Sequence, residues 1–208
     1  MAMKIELQEK PNKPTIIEGF PGFGFVSTIA TEFLINHLKA RPIGKIISDK
    51  IMPLAAIHKT NLIYPLEIFY DNKTNIVIIQ AVTPIDGLEW EIAEVVMQLA
   101  QDLKAKEVIG LEGVASQKET KEQKVFFYTN TEKKKKSLSE ISEQLQEGII
   151  IGVTGAILMK SKDTPLSCFF VETHSNLPDN TAAAKLIEIL DKYLGLTIDY
   201  KPLLKKAK

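Results

Sequence analysis

Gly19, Gly22 and Gly24 alternate with Phe20, Phe23 and Phe25 in the stretch Ile16-Ile17-Glu18-Gly19-Phe20-Pro21-Gly22-Phe23-Gly24-Phe25-Val26, directly before a long amphipathic run. A strand, a glycine loop and a helix in that order is the arrangement that cradles phosphate, through bare backbone N–H groups and a helix N-terminus. Such loops add small polar side chains or a lysine. This one adds three aromatic rings and Pro21, which has no N–H. The G-K-[ST] ending of a P-loop is missing, and Gly22-x-Gly24-x-x-Ser27 only approximates a dinucleotide fingerprint. Glycine also permits tight turns and close approach of backbones, which leaves the rings to be buried against this protein's own core or against another subunit.

Four carboxylates fall at or just past predicted strand ends: Glu18, Asp86, Glu112 and Glu172. Open α/β sheets bind ligands outside the carboxyl edge of their strands, so these positions are where a site is built. The same residues also cap helices and satisfy loop amides. Glu18 stands out because the glycine loop follows it directly. Glu172-Thr173-His174-Ser175 places an acid, an imidazole and two hydroxyls together and invites a hydrolase reading. On a strand, however, Glu172 and His174 share a face while Thr173 does not. No G-x-S-x-G elbow accompanies them. His37, His58 and His174 are scattered, and no H-x-x-x-H or C-x-x-C spacing occurs, so no metal is expected. The lone Cys168, flanked by Leu166, Phe169, Phe170 and Val171, reads as a core thiol.

Composition narrows the classes further. The 208 residues suffice for one α/β domain that buries roughly 70% of its unfolded surface. Lys+Arg and Asp+Glu balance at 26 each, and the basic set holds a single arginine, Arg41. Arginine is the residue that bidentate phosphate and guanine recognition favours, so nucleic-acid binding is not expected. Lys133–Lys136 has no arginine and has Glu132 and Glu140 nearby, which fits a solvated loop. No apolar run has signal or membrane-spanning length, and a cytoplasmic protein is expected.

The elements that must position these residues alternate along the chain. Strands are predicted at Thr15–Glu18, Lys45–Ser48, Leu66–Tyr70, Ile76–Val82, Val108–Leu111 and Leu166–Thr173, with helices over about Val26–Lys39 and from Leu88 to Lys104. A mostly parallel sheet follows. Ile76–Val82 is almost continuously apolar, as befits a strand covered on both faces. Residues 116–147 are polar and read as a peripheral insertion within a single domain of residues 1–208, with Val125–Tyr128 as an inserted strand and a short helix marked by Leu138, Ile141 and Leu145. Ile149-Ile150-Ile151 reads as a strand returning to the core, and the glycines of Gly152-x-x-Gly155 as a turn or close backbone contact. A last helix spans Thr181–Leu194, with Asp179 or Asn180 as N-cap and Gly195 to stop it.

Taken together, Glu18–Val26, Ile29-Ala30-x-Glu32-Phe33-Leu34, Gly152-x-x-Gly155-Ala156-Ile157-Leu158, Pro178-Asp179-Asn180-x-Ala182-Ala183-Ala184 and Leu194-Gly-Leu-x-Ile198-Asp199-x-x-Pro202-Leu203-Leu204 resemble the proteasome assembly chaperone family, especially its archaeal branch. The resemblance implies a three-layer αβα sandwich like the phosphorylase/hydrolase-like folds, homo-oligomerisation, and help to proteasome α subunits in forming their ring. Relatives that dock on proteasome rings end in a hydrophobic-Tyr-any tripeptide. This sequence stops at Lys205-Lys206-Ala207-Lys208 and is expected to be a member without that tail, acting on another subunit face or with a tailed paralogue.

Two readings follow. In the first, the protein is a non-catalytic chaperone that binds α subunits or a paralogue through an apolar surface, with no cofactor. Its candidate contacts are Glu18, Gly19, Phe20, Gly22, Phe23, Gly24, Phe25, Asp86 and Trp90. In the second, it is a nucleotide- or small-molecule-binding enzyme using the crevice around Glu18–Gly24 and Asp86. Archaeal members of the family have been labelled ATP-grasp-like, yet neither a lysine-bearing glycine lid nor a clear pair of metal-binding acids with asparagine is present.

Overall fold

The computed structural model describes residues 3–58, 60–115, 123–161, 163–174 and 176–206. Eleven strands are present: β1 (Lys4–Leu7), β2 (Thr15–Gly19), β3 (Arg41–Ile47), β4 (Ala56–His58), β5 (Asn61–Ile63), β6 (Leu66–Asp71), β7 (Ile76–Ala81), β8 (Glu107–Ala115), β9 (Val125–Thr129), β10 (Glu143–Gln144) and β11 (Leu166–Thr173). Six helices join them: α1 (Val26–Leu38), α2 (Glu89–Asp102), α3 (Glu132–Ser139), α4 (Val153–Lys160), α5 (Asn180–Leu194) and α6 (Lys201–Lys206).

Nine strands form one sheet in the order β1-β3-β6-β7-β2-β8-β11-β9-β10, and β4 pairs with β5 as a separate hairpin. The central run β7-β2-β8-β11 is parallel. Outside it β11–β9, β7–β6, β6–β3 and β3–β1 are antiparallel and β9–β10 is parallel, so the expected parallel centre is flanked by strands of the other direction. The cause lies in the connections. β6 and β7 are joined by a tight turn at Asp71–Asn75, where Asp71 Oδ2 accepts from the Thr74 N–H and hydroxyl, and a link that short can only reverse the chain.

Alternation along the central strands sorts their side chains to two cores. Ile16, Val77, Ile79, Val108, Cys168 and Phe170 pack with α2 and α4. Ile17, Ile76, Ile78, Ile109, Phe169 and Val171 pack with α1, α5 and α6. A three-layer αβα sandwich results, and every residue of β7 is buried, as its apolar run demands. Helix α5 starts where expected: Asp179 Oδ1 accepts from Ala182 N–H at 2.9 Å, and Gly195 closes the helix with φ 67°. Cys168 is fully buried.

Within the stretch 116–147, residues 116–122 lie outside the described residues, and β9 and β10 form one edge of the main sheet, with Phe127 fully buried. Lys133–Lys136 is helical, in α3, and Lys134 Nζ meets Glu107 at 2.5 Å. Glu107 is buried, and it also accepts from Tyr193 Oη (2.9 Å) and Ser167 Oγ (2.5 Å). A buried carboxylate requires such partners, so this lysine is conscripted by the interior while its neighbours remain in solvent. Lys134→Met, which strands Glu107, is expected to lower stability by about 1–3 kcal/mol in urea unfolding. Lys133→Met, at an exposed position, is expected to change it by less than about 0.5 kcal/mol.

Candidate functional site

β2 and β7 are parallel neighbours whose following helices cross opposite faces, α1 on one side and α2 on the other. A crevice must open at the carboxyl edge where the chain diverges in this way. In this molecule it is a cleft of about 1310 Å³. Its walls come from the glycine loop, from residues 82–86 after β7, from the end of β8, from the hairpin residues Leu62 and Ile63, and from Ile149–Val153 ahead of α4.

The loop is shaped by close backbone packing. A Cβ on Gly113 would stand 2.1 Å from the Phe23 carbonyl oxygen, and one on Gly22 would meet Glu112 Oε1 at 2.2 Å. The loop is therefore laid directly on the end of β8. Its far side is tied to α5, because the Asp179 N–H donates to the Gly24 carbonyl at 2.9 Å and Thr173 Oγ1 donates to Asp179 Oδ2 at 2.8 Å. Ser27 Oγ holds the Phe20 carbonyl at 2.9 Å. Gly24 turns through φ 68°, and Phe25 follows at φ 50°, a left-handed conformation that disfavours a side chain by about 1–2 kcal/mol. That strained ring is exposed at the cleft.

Beneath Gly22, Glu18 and Glu112 stand on adjacent strands and face the same side of the sheet. The Thr154 hydroxyl lies 3.0 Å from Glu18 Oε1 and 3.1 Å from Glu112 Oε2. One hydroxyl carries one proton, so both bonds form together only when a carboxyl supplies another. Burial agrees. It pushes Glu112 from 4.5 to about 8, and pushes Glu18 well above the usual carboxylate range, with the nearby Glu112 adding to the effect. Gly110 makes room for this pair, since a Cβ there would meet Glu18 Oε1 at 2.9 Å and Cys168 Sγ at 3.0 Å. Glu18 Oε2 is buried with no hydrogen-bond partner. The Cys168 thiol is raised by the same burial, which keeps it protonated and unreactive.

Of the candidate contacts, Phe20, Gly22, Phe23, Phe25 and Asp86 line the cleft. Glu18 and Gly19 lie behind its floor, and Gly24 serves the α5 tie. Trp90 is exposed away from it, with Lys160 Nζ 5.8 Å from its ring. Phe20, though it lines the cleft, is almost wholly buried in the α2–α4 core. The hydrolase grouping dissolves: Glu172 Oε2 accepts from Lys124 N–H, Thr173 serves Asp179, His174 is exposed, and Ser175 is outside the described residues. His37 stacks on Phe33 at 6.2 Å on α1, and the His58 side chain lies outside what is described. Among the described residues no three His, Cys, Asp or Glu side chains converge to hold a metal, and no helix is long and apolar enough to cross a membrane.

Ile149 and Ile151 correct the sequence reading most sharply. They belong to no strand, and at 87% and 79% exposure they project from an extended segment at the cleft mouth. β10 ends at Gln144 on the sheet edge and α4 begins at Val153, with residues 149–151 in the link between them. The apolar run itself was the available signal. Thr154 left none.

The PAC2 family model matches residues 16–208. The chain belongs to the PAC2 family. Among PAC2 structures, Pyrococcus furiosus PbaA, described as an archaeal homolog of proteasome-assembly chaperone, superposes with a TM-score of 0.92 at 30% identity, over 99% of this chain and 91% of that one. PbaB of the same organism, described as an archaeal proteasome activator, shares the fold with a TM-score of 0.84 at 23% identity, over 99% of this chain and 94% of that one. An uncharacterized protein of Methanocaldococcus jannaschii is 30% identical over 210 residues, which is 98% of this chain and 83% of the relative. These matches place the chain with the archaeal proteasome assembly chaperone homologues of PAC2.

The buried acids of this PAC2 chain give it a stability that depends on pH. In the unfolded chain Glu112 ionises near 4.5, whereas in the fold it keeps its proton to about 8, so stability is full below about 4.5 and is lost as pH rises through about 8. The melting temperature is expected to fall between pH 6 and pH 9. Glu112→Gln, which retains shape without the titration, is expected to flatten that fall in differential scanning fluorimetry.

Proposed function

We propose that this PAC2 protein is a non-catalytic assembly factor that binds proteasome α subunits, or a chaperone paralogue, through the apolar rim of the carboxyl-edge cleft. The observation that carries the reading is the cluster of exposed large apolar side chains around one opening: Phe25, Leu62, Val82, Ile149 and Ile151. Monomeric surfaces scatter such residues singly, and a group of them around a concavity marks a contact surface. Ile57, on the hairpin that carries Leu62, is exposed as well. The similarity to PbaA supplies the class of partner. Homo-oligomerisation and residence in the cytoplasm belong to the same reading.

The chemistry of the cleft supports binding over catalysis. The glycines that make the loop resemble a phosphate cradle are spent on close contacts, Gly19 with Ser27 and Thr31, Gly22 with Glu112 and Gly24 with Thr173. The two carboxyls beneath the loop share the Thr154 hydroxyl, and among the described residues that line the cleft there is no lysine, arginine or histidine to hold a phosphate.

Recombinant α subunits, as monomers and as rings, should be retained by the immobilised protein. The double variant Ile149→Ser, Ile151→Ser should weaken that capture by about ten-fold or more, with an unchanged melting temperature because both side chains are exposed in the free protein. Failure of the unaltered protein to retain α monomers, α rings or a paralogue would refute the proposal.

A further inference from the structure

Charges in this molecule are balanced overall and segregated at the cleft. The chain carries 26 basic and 26 acidic residues. Of the described residues that line the cleft, the acidic ones are Glu32, Glu67, Asp86, Glu89 and the buried, protonated Glu112, with no lysine, arginine or histidine among them. Those at the rim come from separate elements: Glu32 from α1, Glu67 from β6, and Asp86 and Glu89 from the entry to α2. No stretch of sequence announces this. The fold gathers one sign of charge from three directions, and between the acids the walls are mostly isoleucine, phenylalanine, leucine and valine.

Little within the chain offsets these carboxylates. Glu67 has Lys45 opposite it across the β3–β6 pair, and Lys45 also serves Glu6 at 3.5 Å and the Tyr64 ring at 4.0 Å. Glu89 Oε1 accepts a backbone N–H, from Gly87. The lysines of the α2 side, Lys50 and Lys160, are paired with Glu91 and Glu94, which do not line the cleft. At the floor Glu112 is 8% exposed, and behind it Glu18 Oε2 has an unmet acceptor. A low-dielectric cleft lined by one sign of charge concentrates its field on whatever enters.

Size restricts the occupant as well. Small-molecule sites are about 300–1,000 Å³, and this opening is larger, at about 1310 Å³. A polypeptide segment fills such a groove with side chains. A nucleotide, a phosphorylated peptide or nucleic acid would bring its charge against like charge.

We propose that the cleft is a docking groove for a cationic, apolar-sided polypeptide segment of a protein partner, one whose aliphatic or aromatic side chains enter between the isoleucine and phenylalanine walls while its lysine or arginine side chains meet Glu32, Glu67, Asp86 and Glu89. The inference rests on the protein-binding reading above and adds to it the charge of the bound segment. It selects, among the faces a partner could present, a basic one.

The test uses the full chain and three end-capped synthetic peptides of about twelve residues. All share the same leucine, isoleucine and phenylalanine positions, and the remaining positions are lysine, glutamine or glutamate. Isothermal titration calorimetry should give the lysine peptide at least a ten-fold tighter dissociation constant than the glutamine peptide, with the glutamate peptide weakest. Raising salt from about 50 to 500 mM should erode that advantage. The variant Glu32→Gln, Glu67→Gln, Asp86→Asn, Glu89→Gln should bring the lysine and glutamine peptides within about three-fold of each other while leaving the glutamine peptide's affinity in place. Absence of lysine-peptide binding, equal binding of the glutamate peptide, or a lysine preference that survives in the variant would each overturn the proposal. Capture of α subunits, measured on the same preparations, separates the two readings. Capture without a lysine preference defeats only the charge inference, and a lysine preference without capture defeats only the choice of partner.

Discussion

Glu18 and Glu112 occupy neighbouring strands beneath the glycine loop, pointing to one face of the sheet, with the Thr154 hydroxyl between them. Ionised, two carboxylates this deep would repel each other and lack solvent. Neutral, they act as a hydrogen-bonded strut from the middle of the sheet to α4. Much of the local architecture answers to that strut. Gly110 must lack a side chain to leave it space, Gly22 must lack one so that the loop can lie over Glu112, and α4 must begin where Thr154 reaches both acids. The start of α4 in turn fixes where Gly152 releases the preceding segment, which carries Ile149 and Ile151 to the mouth of the cleft. An interior hydrogen bond thus sets the position of an exterior apolar rim.

The same floor limits what the cleft can bind. Its buried carboxyls share the Thr154 hydroxyl. The loop amides stand over two protonated carboxyls, whereas a phosphate site calls for positive charge. The rim residues are large, apolar and solvent-facing, and the charges among them share one sign. Such a surface gains free energy by covering apolar area and by matching charge.

Local order was legible in the sequence wherever a residue's role is settled by its near neighbours. The period of α1 and α2, the Asp179 cap and Gly195 stop of α5, the continuous burial of β7 and the packing role of the loop glycines all follow from spacing and backbone freedom. What depends on the whole fold was hidden. Strand direction in β3, β6 and β9 is decided by connection lengths and by which sheet edge is vacant, so the antiparallel flanks of the parallel centre are not written in their residues. Lys134 cannot be told from Lys133 until Glu107 is seen behind it. Ile149–Ile151 has the composition of a core strand and no strand to pair with. Of the sequence candidates, Phe20, Gly22, Phe23, Phe25 and Asp86 line the cleft, placed there by the loop and by the carboxyl edge. Glu32, Glu67 and Glu89 are not among those candidates, because only the sheet order brings α1, β6 and α2 to one opening.

The divergence of α1 and α2 to opposite faces would create a crevice beside β2 and β7 with almost any side chains, since it is a property of how the chain is wound. Winding therefore supplies concavity and leaves the ligand undetermined. Selection comes from the few residues that the strand ends deliver, and here they deliver phenylalanine, valine, threonine, aspartate and glutamate with no lysine among the described lining residues. Phe25 makes the distinction concrete. Glycine would hold its left-handed backbone conformation at no cost, yet the chain places a large ring there, exposed at the rim. A strained, solvent-facing aromatic weakens the free protein, and it is offset only when something covers the ring.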